Sequence, residues 1–351
     1  MNWLKSKKPL IIAGPCSAET EEQVLATAEA LAASGKVDIF RAGVWKPRTK
    51  PGMFEGVGAP ALPWLMEAKK RTGLPIAIEV ANAKHVESAS AYDVDVFWIG
   101  ARTTSNPFSV QEIAEALRGT DTPVLVKNPM NADVELWNGS VERLAACGIK
   151  NLGLIHRGFS GYGSCEYRNT PMWHLPLEIK KRLPELPIFC DPSHICGNRT
   201  HLAEVAQQAA DLDFNGVMLE SHITPDAAWS DAKQQVTPDA LIQLLDGLTW
   251  RAKESDSIAY QTSLDELRGV IDRLDSEILN LLAKRMEASE SIGRIKRENN
   301  VMILQSDRWA QIVEGALSRA EQLGLSKEFL NILFDAIHIE SINKQNRILN
   351  K

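Results

Sequence analysis

The stretch LIIAGPC, residues 10–16, begins with the short apolar run Leu10–Ala13 and ends with a cysteine. An apolar run of this kind, followed by a charged or metal-binding side chain, recurs along the first 221 residues. The eight runs are Leu10–Ala13, Val37–Phe40, Ile76–Ile78, Val96–Ile99, Val124–Val126, Leu152–Ile155, Ile188–Cys190 and Val217–Leu219. Amphipathic stretches such as Glu22–Ala33 separate them, and this alternation predicts βα units in a parallel sheet. Eight units in roughly 250 residues predict a (β/α)8 TIM barrel. A doubly wound open sheet is the alternative, because periodicity does not distinguish the two.

The side chains that follow the runs are of types that bind ligands. They are, in chain order, Cys16, Arg41, Glu79, Arg102, Lys127, Arg157, Asp191 with His194, and Glu220. In a barrel the carboxyl ends of all strands meet on one face, where active sites lie. Strands often end in solvated charges, so one or two such residues would mean little. Their presence after all eight runs favours a functional site on that face.

Cations dominate the predicted face of a chain that is acidic overall, with 39 Lys and Arg against 45 Asp and Glu. The cations are Arg41, Lys46, Arg48, Arg102, Lys127 and Arg157. Arginine offers forked donors, and lysine a compact charge, to phosphate or carboxylate groups. We therefore expect a strongly anionic, phosphorylated ligand.

A second group combines a thiol, an imidazole and two carboxylates. Its members are Cys16, His194, Glu220 and Asp231. This mixed donor set suits a divalent cation that acts as a Lewis acid, and not a closed structural zinc site. A single Cys or His is more often part of a packed core, and Asp231 could simply serve a helix start. The prediction therefore depends on the four residues lying together.

The composition excludes several classes of protein. The net charge of −6 argues against a nucleic-acid-binding protein, which usually has a basic excess. Apolar stretches stay well short of the roughly 20 residues that cross a bilayer, so we expect no membrane segment. The five cysteines form no CxxC pair, which suits reduced thiols and a cytoplasmic location.

A change in composition predicts two domains. All 17 prolines lie at or before Pro238, and the polar stretch 249–263 lacks a sustained period. We expect a barrel over residues 1–248, a linker over 249–263 and an all-α domain over 264–351.

The predicted all-α domain begins with a long amphipathic helix. Its apolar positions are 264, 267, 271, 274, 278, 281 and 282. This spacing predicts a helix over 264–298 that begins with a capping box of Ser263 and Glu266. Two further helices are expected over 306–322 and 326–349, the latter opened by Ser326. The stripe of the long helix is too extensive for two short partners to cover, so we expect an intertwined homodimer, or a larger homo-oligomer.

Basic residues on this helix provide a geometric test. Arg285 and Lys296 are 11 residues apart, so they point about 20° from each other and lie about 16 Å apart along the axis. Their long side chains could meet on one ligand. Arg268 lies about 25 Å before Arg285, so a functional Arg268 would have to serve a site on another chain.

The first 245 residues resemble 3-deoxy-D-arabino-heptulosonate 7-phosphate (DAHP) synthases, most closely type I-beta without an N-terminal regulatory extension. The matching segments are GPCSAE (14–19), FRAGVWKPRT (40–49), IGAR (99–102), VLVKN (124–128), DPSH (191–194) and GVMLES (216–221). The resemblance implies condensation of phosphoenolpyruvate with erythrose 4-phosphate, giving DAHP and phosphate. It implies a divalent metal, Mn²⁺, Fe²⁺ or Zn²⁺, on Cys16, His194, Glu220 and Asp231. It places phosphoenolpyruvate on Arg41, Arg102, Lys127 and Arg157 near Glu79, erythrose 4-phosphate on Lys46, Arg48 and Thr49, and catalytic roles on Lys127 and His194.

Residues 264–349 resemble AroQ-type chorismate mutases, which form intertwined dimers. The resemblance implies rearrangement of chorismate to prephenate, with substrate bound by Arg285, Arg308, Ser341 and Arg268 of a second subunit. Lys296 and Gln345 would stabilise the ether oxygen as its bond breaks. The chain departs from the family at Gln305 and Trp309, where acidic residues are common, so contact with the substrate hydroxyl is not implied.

The two resemblances together imply a bifunctional enzyme of aromatic amino-acid biosynthesis, with feedback inhibition through the helical domain. One alternative is a barrel synthase of the 3-deoxy-octulosonate or sialic-acid type, which uses another aldose. A second alternative makes the tail a non-catalytic regulatory or dimerisation module. The Lys46–Thr49 motif favours erythrose 4-phosphate.

Overall fold

The computed structural model describes residues 9–48, 52–161, 166–304 and 306–350. The chain divides into two compact units, Met1–Lys253 and Glu254–Lys351. Each unit is described by itself below. Thr49 and Gln305 lie outside the described residues.

The first unit is a closed barrel of eight parallel strands that pair in chain order, with β8 returning to β1. The strands are β1 Leu10–Gly14, β2 Ile39–Arg41, β3 Ile76–Val80, β4 Val96–Ile99, β5 Val124–Lys127, β6 Leu152–His156, β7 Ile188–Cys190 and β8 Gly216–Glu220. The predicted TIM barrel is confirmed, and closure between β1 and β8 excludes the open sheet. Several strands run one or two residues past the predicted apolar runs. Arg41, Lys127 and Glu220 are therefore the last residues of strands, so the sheet fixes their backbone.

Helices connect the strands on the outside of the barrel. They are α1 Glu21–Ala33, α2 Leu62–Thr72, α3 Ala83–Ser90, α4 Ala101–Thr104, α5 Pro107–Ala116, α6 Val134–Ala146, α7 His174–Arg182, α8 Pro192–Cys196, α9 Leu202–Asp211 and α10 Pro238–Gly247. Short 3₁₀ turns occur at Ala59–Ala61, Pro225–Ala227 and Ala232–Gln234. Side chains commonly cap the starts; Thr20, for example, accepts the backbone N–H of Gln23 at the beginning of α1.

The barrel has an inner core and a larger core between sheet and helices. The inner core consists of Leu10, Ile12, Ile39, Ala77, Val96, Trp98, Leu125, Ile155, Phe189 and Met218. The guanidinium of Arg41 lies 4.8 Å from the Trp98 ring centroid, and Nζ of Lys127 lies 5.8 Å from it. The Trp98 indole therefore packs beneath the charged groups of Arg41 and Lys127 at the carboxyl-end face.

Carboxylate and amide side chains tie neighbouring strands together at their amino ends. Asp38, Asp95 and Asn215 accept the backbone N–H groups of Ile11, Ile76 and Ile188, each at 2.8–2.9 Å. Asp38, the residue just before β2, makes this hydrogen bond through its side chain to the backbone N–H of Ile11 in β1. This strand accordingly begins at Ile39, two residues after the start of the predicted run.

The second unit is helical, as predicted, but its elements differ at two places. The helices are α11 Ile258–Glu298, α12 Ser306–Leu317, α13 Ala320–Leu323 and α14 Lys327–Leu349. The helix α11 starts earlier than predicted, because the side chain of Ser257 accepts the N–H of Tyr260. The predicted capping box at Ser263 is therefore wrong. Residues 258–263, which were expected to belong to the linker, are helical. The predicted helix 306–322 is two helices, interrupted where the Ser318 hydroxyl bonds to the Gly315 carbonyl. Ser326 caps α14 as predicted.

The apolar stripe of α11 is largely exposed in the single chain. Leu267, Ile271, Leu274, Ile278 and Leu281 are all at least half exposed. Farther along, α11 packs on α14 at Gly293, where a Cβ atom would lie 3.2 Å from Cα of Gln345. Among the described residues, no helix combines the length and apolar character needed to cross a bilayer.

Candidate functional site

The carboxyl-end face of the barrel contains one cleft that gathers most of the predicted site residues. It is lined by Lys46, Arg48, Glu79, Arg102, Lys127, Arg157, His194 and Asp231, together with Pro47, Gly100, Ala101 and Arg168. Cys16, Arg41 and Glu220 are fully buried next to this lining: Cys16 contacts Lys46, Glu220 contacts His194, and Arg41 pairs with Glu220. The expected convergence of strand-end residues is thus what the structure shows.

Two buried ion pairs organise the cations. Nη2 of Arg41 lies 3.2 Å from Oε1 of Glu220, and Nζ of Lys127 lies 2.7 Å from Oδ2 of Asp191. The Arg41–Glu220 contact is an ion pair without hydrogen-bond geometry, because among the described residues Nε, Nη1 and Nη2 of Arg41 have no hydrogen-bond partner. Burial lowers the pKa of Lys127, and it lowers the pKa of Arg157 to about 10. These groups are cations that gain from a bound anion, because burial has removed their hydration.

Glu79 is fixed at the edge of the cleft by its surroundings. Its carboxylate accepts the indole N–H of Trp98 at 3.2 Å. Gly100 leaves space for it, because a Cβ atom there would lie 2.0 Å from Oε1 of Glu79. The glycine of the IGAR motif therefore provides room for a carboxylate beside Arg102.

The four predicted metal ligands lie on the same rim as two neighbouring pairs. Sγ of Cys16 is 3.3 Å from Oδ2 of Asp231, and Nε2 of His194 is 3.7 Å from Oε1 of Glu220. Their donor atoms fit a borderline divalent cation, and Oε1 of Glu220 is buried with no hydrogen-bond donor among the described residues. His194 is oriented by Asp191, which accepts from Nδ1 at 3.0 Å, as outer carboxylates orient metal-binding imidazoles.

Protein cations contact the Cys16–Asp231 pair. Nζ of Lys46 lies 3.0 Å from Sγ of Cys16, and Nη1 of Arg48 lies 3.0 Å from Oδ2 of Asp231. Over the described ranges, no three His, Cys, Asp and Glu side chains stand close enough to form a metal-binding group. Burial, with Glu220, raises the pKa of Cys16 to about 12. A metal would thus have to displace the thiol proton and the ammonium of Lys46.

Four of the six predicted residues of the helical unit lie on α11 and α14, the two helices that pack on each other. Nη1 of Arg285 donates to Oγ of Ser341 at 2.7 Å, and Nζ of Lys296 donates to the Ile303 carbonyl. Gln345 is buried, and its Oε1 has no hydrogen-bond partner within the described part of the unit. Burial lowers the pKa of both Arg285 and Lys296. The contacts therefore join Arg285 to Ser341, whereas Lys296 is held by the Ile303 carbonyl and Gln345 packs beside Gly293.

The remaining two residues point elsewhere. Arg308 contacts Gln311 on its own helix at 3.3 Å, and Arg268 is exposed beside Asp265. Trp309 stacks on His338 with ring centroids 3.9 Å apart, so this departure from the family pattern is a packing residue.

Sequence reasoning missed two polar residues of the barrel cleft. Arg168 donates to Oδ1 of Asp231 at 3.0 Å, and Gln234 donates to Oε2 of Glu220 at 2.6 Å. Arg168 lies in a loop and Gln234 in the 3₁₀ turn Ala232–Gln234, both away from strand ends, where the alternation of apolar runs gives no signal. The GYGSCEYRNT and SDAKQQ segments (161–170 and 230–235) carry them.

Comparison with protein families identifies the chain. Residues 5–255 match the model of the DAHP synthetase I family. The chain belongs to this family. Residues 267–346 match the chorismate mutase type II model, so both resemblances read from the sequence are confirmed at the level of family.

Individual relatives agree with this membership. Phospho-2-dehydro-3-deoxyheptonate aldolase of Thermotoga maritima is 32% identical over 226 residues, covering 64% of each protein, so this chain spans less than two thirds of that relative. A crystal structure of the DAHP synthase from Thermotoga maritima has a TM-score of 0.62 at 31% identity, covering 68% of each chain. A 2-dehydro-3-deoxyphosphooctonate aldolase of Nitratidesulfovibrio vulgaris is 26% identical, covering 68% of this chain and 90% of the relative.

Removing one partner of the buried Arg41–Glu220 pair should destabilise the barrel strongly. Both side chains are 0% exposed, so Arg41→Met leaves a buried carboxylate without its counter-ion. We expect a loss of about 3 kcal/mol in the free energy of unfolding. Urea unfolding followed by tryptophan fluorescence measures it.

The double variant Arg41→Met/Glu220→Gln should recover part of this loss, because the uncompensated charge is gone. Arg71→Met, which removes exposed pairs with Glu29 and Glu67, is the control and should leave the free energy of unfolding nearly unchanged, because solvent screens these pairs. An Arg41→Met protein as stable as the parent would contradict a structural role for the pair.

Proposed function

We propose that the barrel condenses phosphoenolpyruvate with erythrose 4-phosphate and that the helical unit converts chorismate to prephenate. The observation that carries the first activity is the cleft lined by cations, Glu79, His194 and Asp231, next to the buried side chains of Cys16, Arg41 and Glu220. The family membership and the relatives' names support the same reaction. Both activities belong to aromatic amino-acid biosynthesis, as the sequence predicts.

The cations would position two phosphorylated substrates. Arg41, Arg102, Lys127 and Arg157 would bind phosphoenolpyruvate, and Lys46, Arg48 and Thr49 would bind the aldose phosphate. Two polyanions repel each other strongly in a site that excludes water, and these fixed positive charges offset that repulsion. The guanidinium of Arg41 packs on the Trp98 ring, and its N–H groups make no hydrogen bond among the described residues. It would therefore offer two parallel donors, already in position, to the phosphoenolpyruvate anion.

The reaction joins C3 of phosphoenolpyruvate to the aldehyde carbon, water adds at C2, and inorganic phosphate leaves. A divalent metal held by Cys16, His194, Glu220 and Asp231 would polarise the aldehyde carbonyl. Lys127 is held by Asp191 over the Trp98 ring, where its ammonium can hold the phosphoenolpyruvate anion in a fixed orientation. Asp191 also fixes His194, so one buried carboxylate aligns a substrate-binding and a metal-type residue.

The aldose is the point on which the alternative differs. The octulosonate-type relatives share the barrel at 26–28% identity, so the fold alone does not select the sugar. The Lys46–Thr49 motif and the match to the chorismate mutase model favour erythrose 4-phosphate.

Phosphate release tests the barrel reaction. With phosphoenolpyruvate and Mn²⁺, we expect release with erythrose 4-phosphate and little with arabinose 5-phosphate, and a chelator should abolish it. Cys16→Ser should reduce metal affinity and turnover by at least tenfold, because a hydroxyl is a poor substitute for thiolate. Cys147→Ser, a buried cysteine beside Arg118 on the outside of the barrel, is the matched control. A preference for arabinose 5-phosphate, or full metal-dependent turnover in Cys16→Ser, would refute this assignment.

The helical unit would act by binding a dianion in one conformation. Arg285 is hydrogen-bonded to Ser341, and Lys296 and Gln345 are buried polar residues of the same two packed helices, α11 and α14. The rearrangement needs no nucleophile, because holding the reactive conformer and stabilising the ether oxygen suffice. We propose that Arg268 completes the site of a second subunit, since the exposed apolar stripe of α11 suits an intertwined dimer.

Chorismate depletion measures the mutase directly. Arg285→Gln should lower kcat/KM by about 10- to 100-fold, the loss expected for a charge-assisted bond to a carboxylate. Lys284→Gln, on the same helix but exposed, should retain activity. Phosphate release by the barrel serves as the internal control for folding, and equal mutase activity in the two variants would contradict the proposed site.

We also propose feedback inhibition of the barrel by prephenate bound to the helical unit. Phosphate release should fall when prephenate is added to the parent protein and to Lys284→Gln, and should be unaffected in Arg285→Gln. Inhibition that survives Arg285→Gln unchanged would place the effector outside this site.

A further inference from the structure

Arg168 is held against the segment that carries His194. Its backbone N–H donates to the Cys196 carbonyl at 3.3 Å, and the N–H of Asn169 donates to the Ile195 carbonyl at 3.0 Å. The Asn169 amide adds a bond to the His194 carbonyl at 2.7 Å. Three hydrogen bonds therefore fix the backbone of this loop against α8.

Gly197 supports the stem of the arginine. It ends α8 with φ of +68°, and a Cβ atom there would lie 2.5 Å from Cβ and 2.7 Å from Cδ of Arg168. Only glycine combines this left-handed backbone with so close an approach. The aliphatic part of Arg168 is thereby directed along α8 into the cleft.

The guanidinium then meets both carboxylates of the candidate metal set, one directly and one through an amide. Its Nη1 lies 3.0 Å from Oδ1 of Asp231 and 2.9 Å from Oε1 of Gln234. Gln234 donates in turn to Oε2 of Glu220 at 2.6 Å. The other oxygen of Asp231 is held by Arg48 at 3.0 Å, so two guanidinium groups share one carboxylate.

Positive charge accumulates around this shared carboxylate. Burial raises the pKa of Asp231, but Lys46, His194, Arg168 and Arg48 outweigh it, and the pKa lies well below its ordinary value. The pKa values of Arg102 and Arg157 are lowered mainly by burial, and the positive charge of Arg168 lowers them further. With 45% of its side chain exposed, Arg168 has space to turn from Asp231 toward the open cleft.

We propose that Arg168 is a further phosphate-binding residue of the cleft, exchanged from Asp231 to the aldose phosphate when a divalent cation takes the carboxylate. The proposal rests on the proposed synthase function. Arg48, in the motif assigned to the aldose phosphate, makes the same pairing with Asp231, so both guanidinium groups become available together. Cation and phosphate binding would then strengthen each other, and by linkage each must change the other's affinity by the same factor.

Arg168→Gln separates this role from a structural one, because two affinities should move in opposite directions. The dissociation constant for Mn²⁺, measured by calorimetry on the full chain, should fall a few-fold, since a competing cation has left Asp231. The KM for erythrose 4-phosphate should rise about tenfold, the loss of one charge-assisted bond, with kcat within about threefold. Arg168→Lys should recover part of the KM. Arg182→Gln, which removes surface pairs with Glu135 and Glu178, is the matched control and should change neither constant.

Direct binding of inorganic phosphate provides a readout without turnover. Mn²⁺ should tighten phosphate binding in the parent protein, and this enhancement should shrink in Arg168→Gln. An unchanged KM, an unchanged or raised Mn²⁺ dissociation constant, or an undiminished enhancement would overturn the proposal. If the parent released no phosphate from its substrates, the synthase function would fail, whereas the coupling of Mn²⁺ and phosphate would remain measurable.

Discussion

The crowding of positive charge at one end of a closed barrel constrains the whole cleft. Arg41, Lys46 and Lys127 are buried, where a charge without a partner would cost several kcal/mol. Glu220 therefore pairs with Arg41 and Asp191 with Lys127 inside the protein, and Lys46 lies against Cys16. Of the carboxylates that neutralise these cations, Glu220 is also a candidate metal ligand, and Asp191 orients the candidate ligand His194. Ligand binding and stability thus depend on the same few side chains.

This arrangement explains why loop residues have a large part in the site. The strands supply Arg41, Lys127 and Glu220 at fixed positions, but Asp231 lies in a loop, with a left-handed backbone at φ of +46°. The loop is held by side chains of the first βα connection: Glu19 accepts the N–H of Trp229, and the hydroxyls of Ser17 and Ser230 lie 2.5 Å apart. Such anchors offset the strain of the Asp231 backbone.

The sequence predicted the fold correctly where a local pattern is repeated along the chain. Eight apolar runs with a polar end predicted the barrel, and the same register placed Arg41, Lys127 and Glu220 at strand ends. It failed where one local signal competed with another: both Ser257 and Ser263 can cap α11, and only the packed helix shows which one does. Arg168 was beyond reach because its position depends on Gly197 and Cys196, about 30 residues away, and no periodic pattern links them.

The pairing of β1 with β8 joins the two ends of the barrel sequence. Cys16 follows the first strand and Asp231 the last, so atoms 3.3 Å apart belong to residues separated by 215 positions. The nascent chain cannot assemble this half of the metal-type set until nearly the entire barrel has been synthesised. A cation that binds Cys16 and Asp231 only when they lie together would stabilise the folded barrel and not the unfolded chain. It would thereby stabilise the pairing of β1 with β8. Cation uptake would then report completion of the barrel during synthesis, before a single substrate arrives.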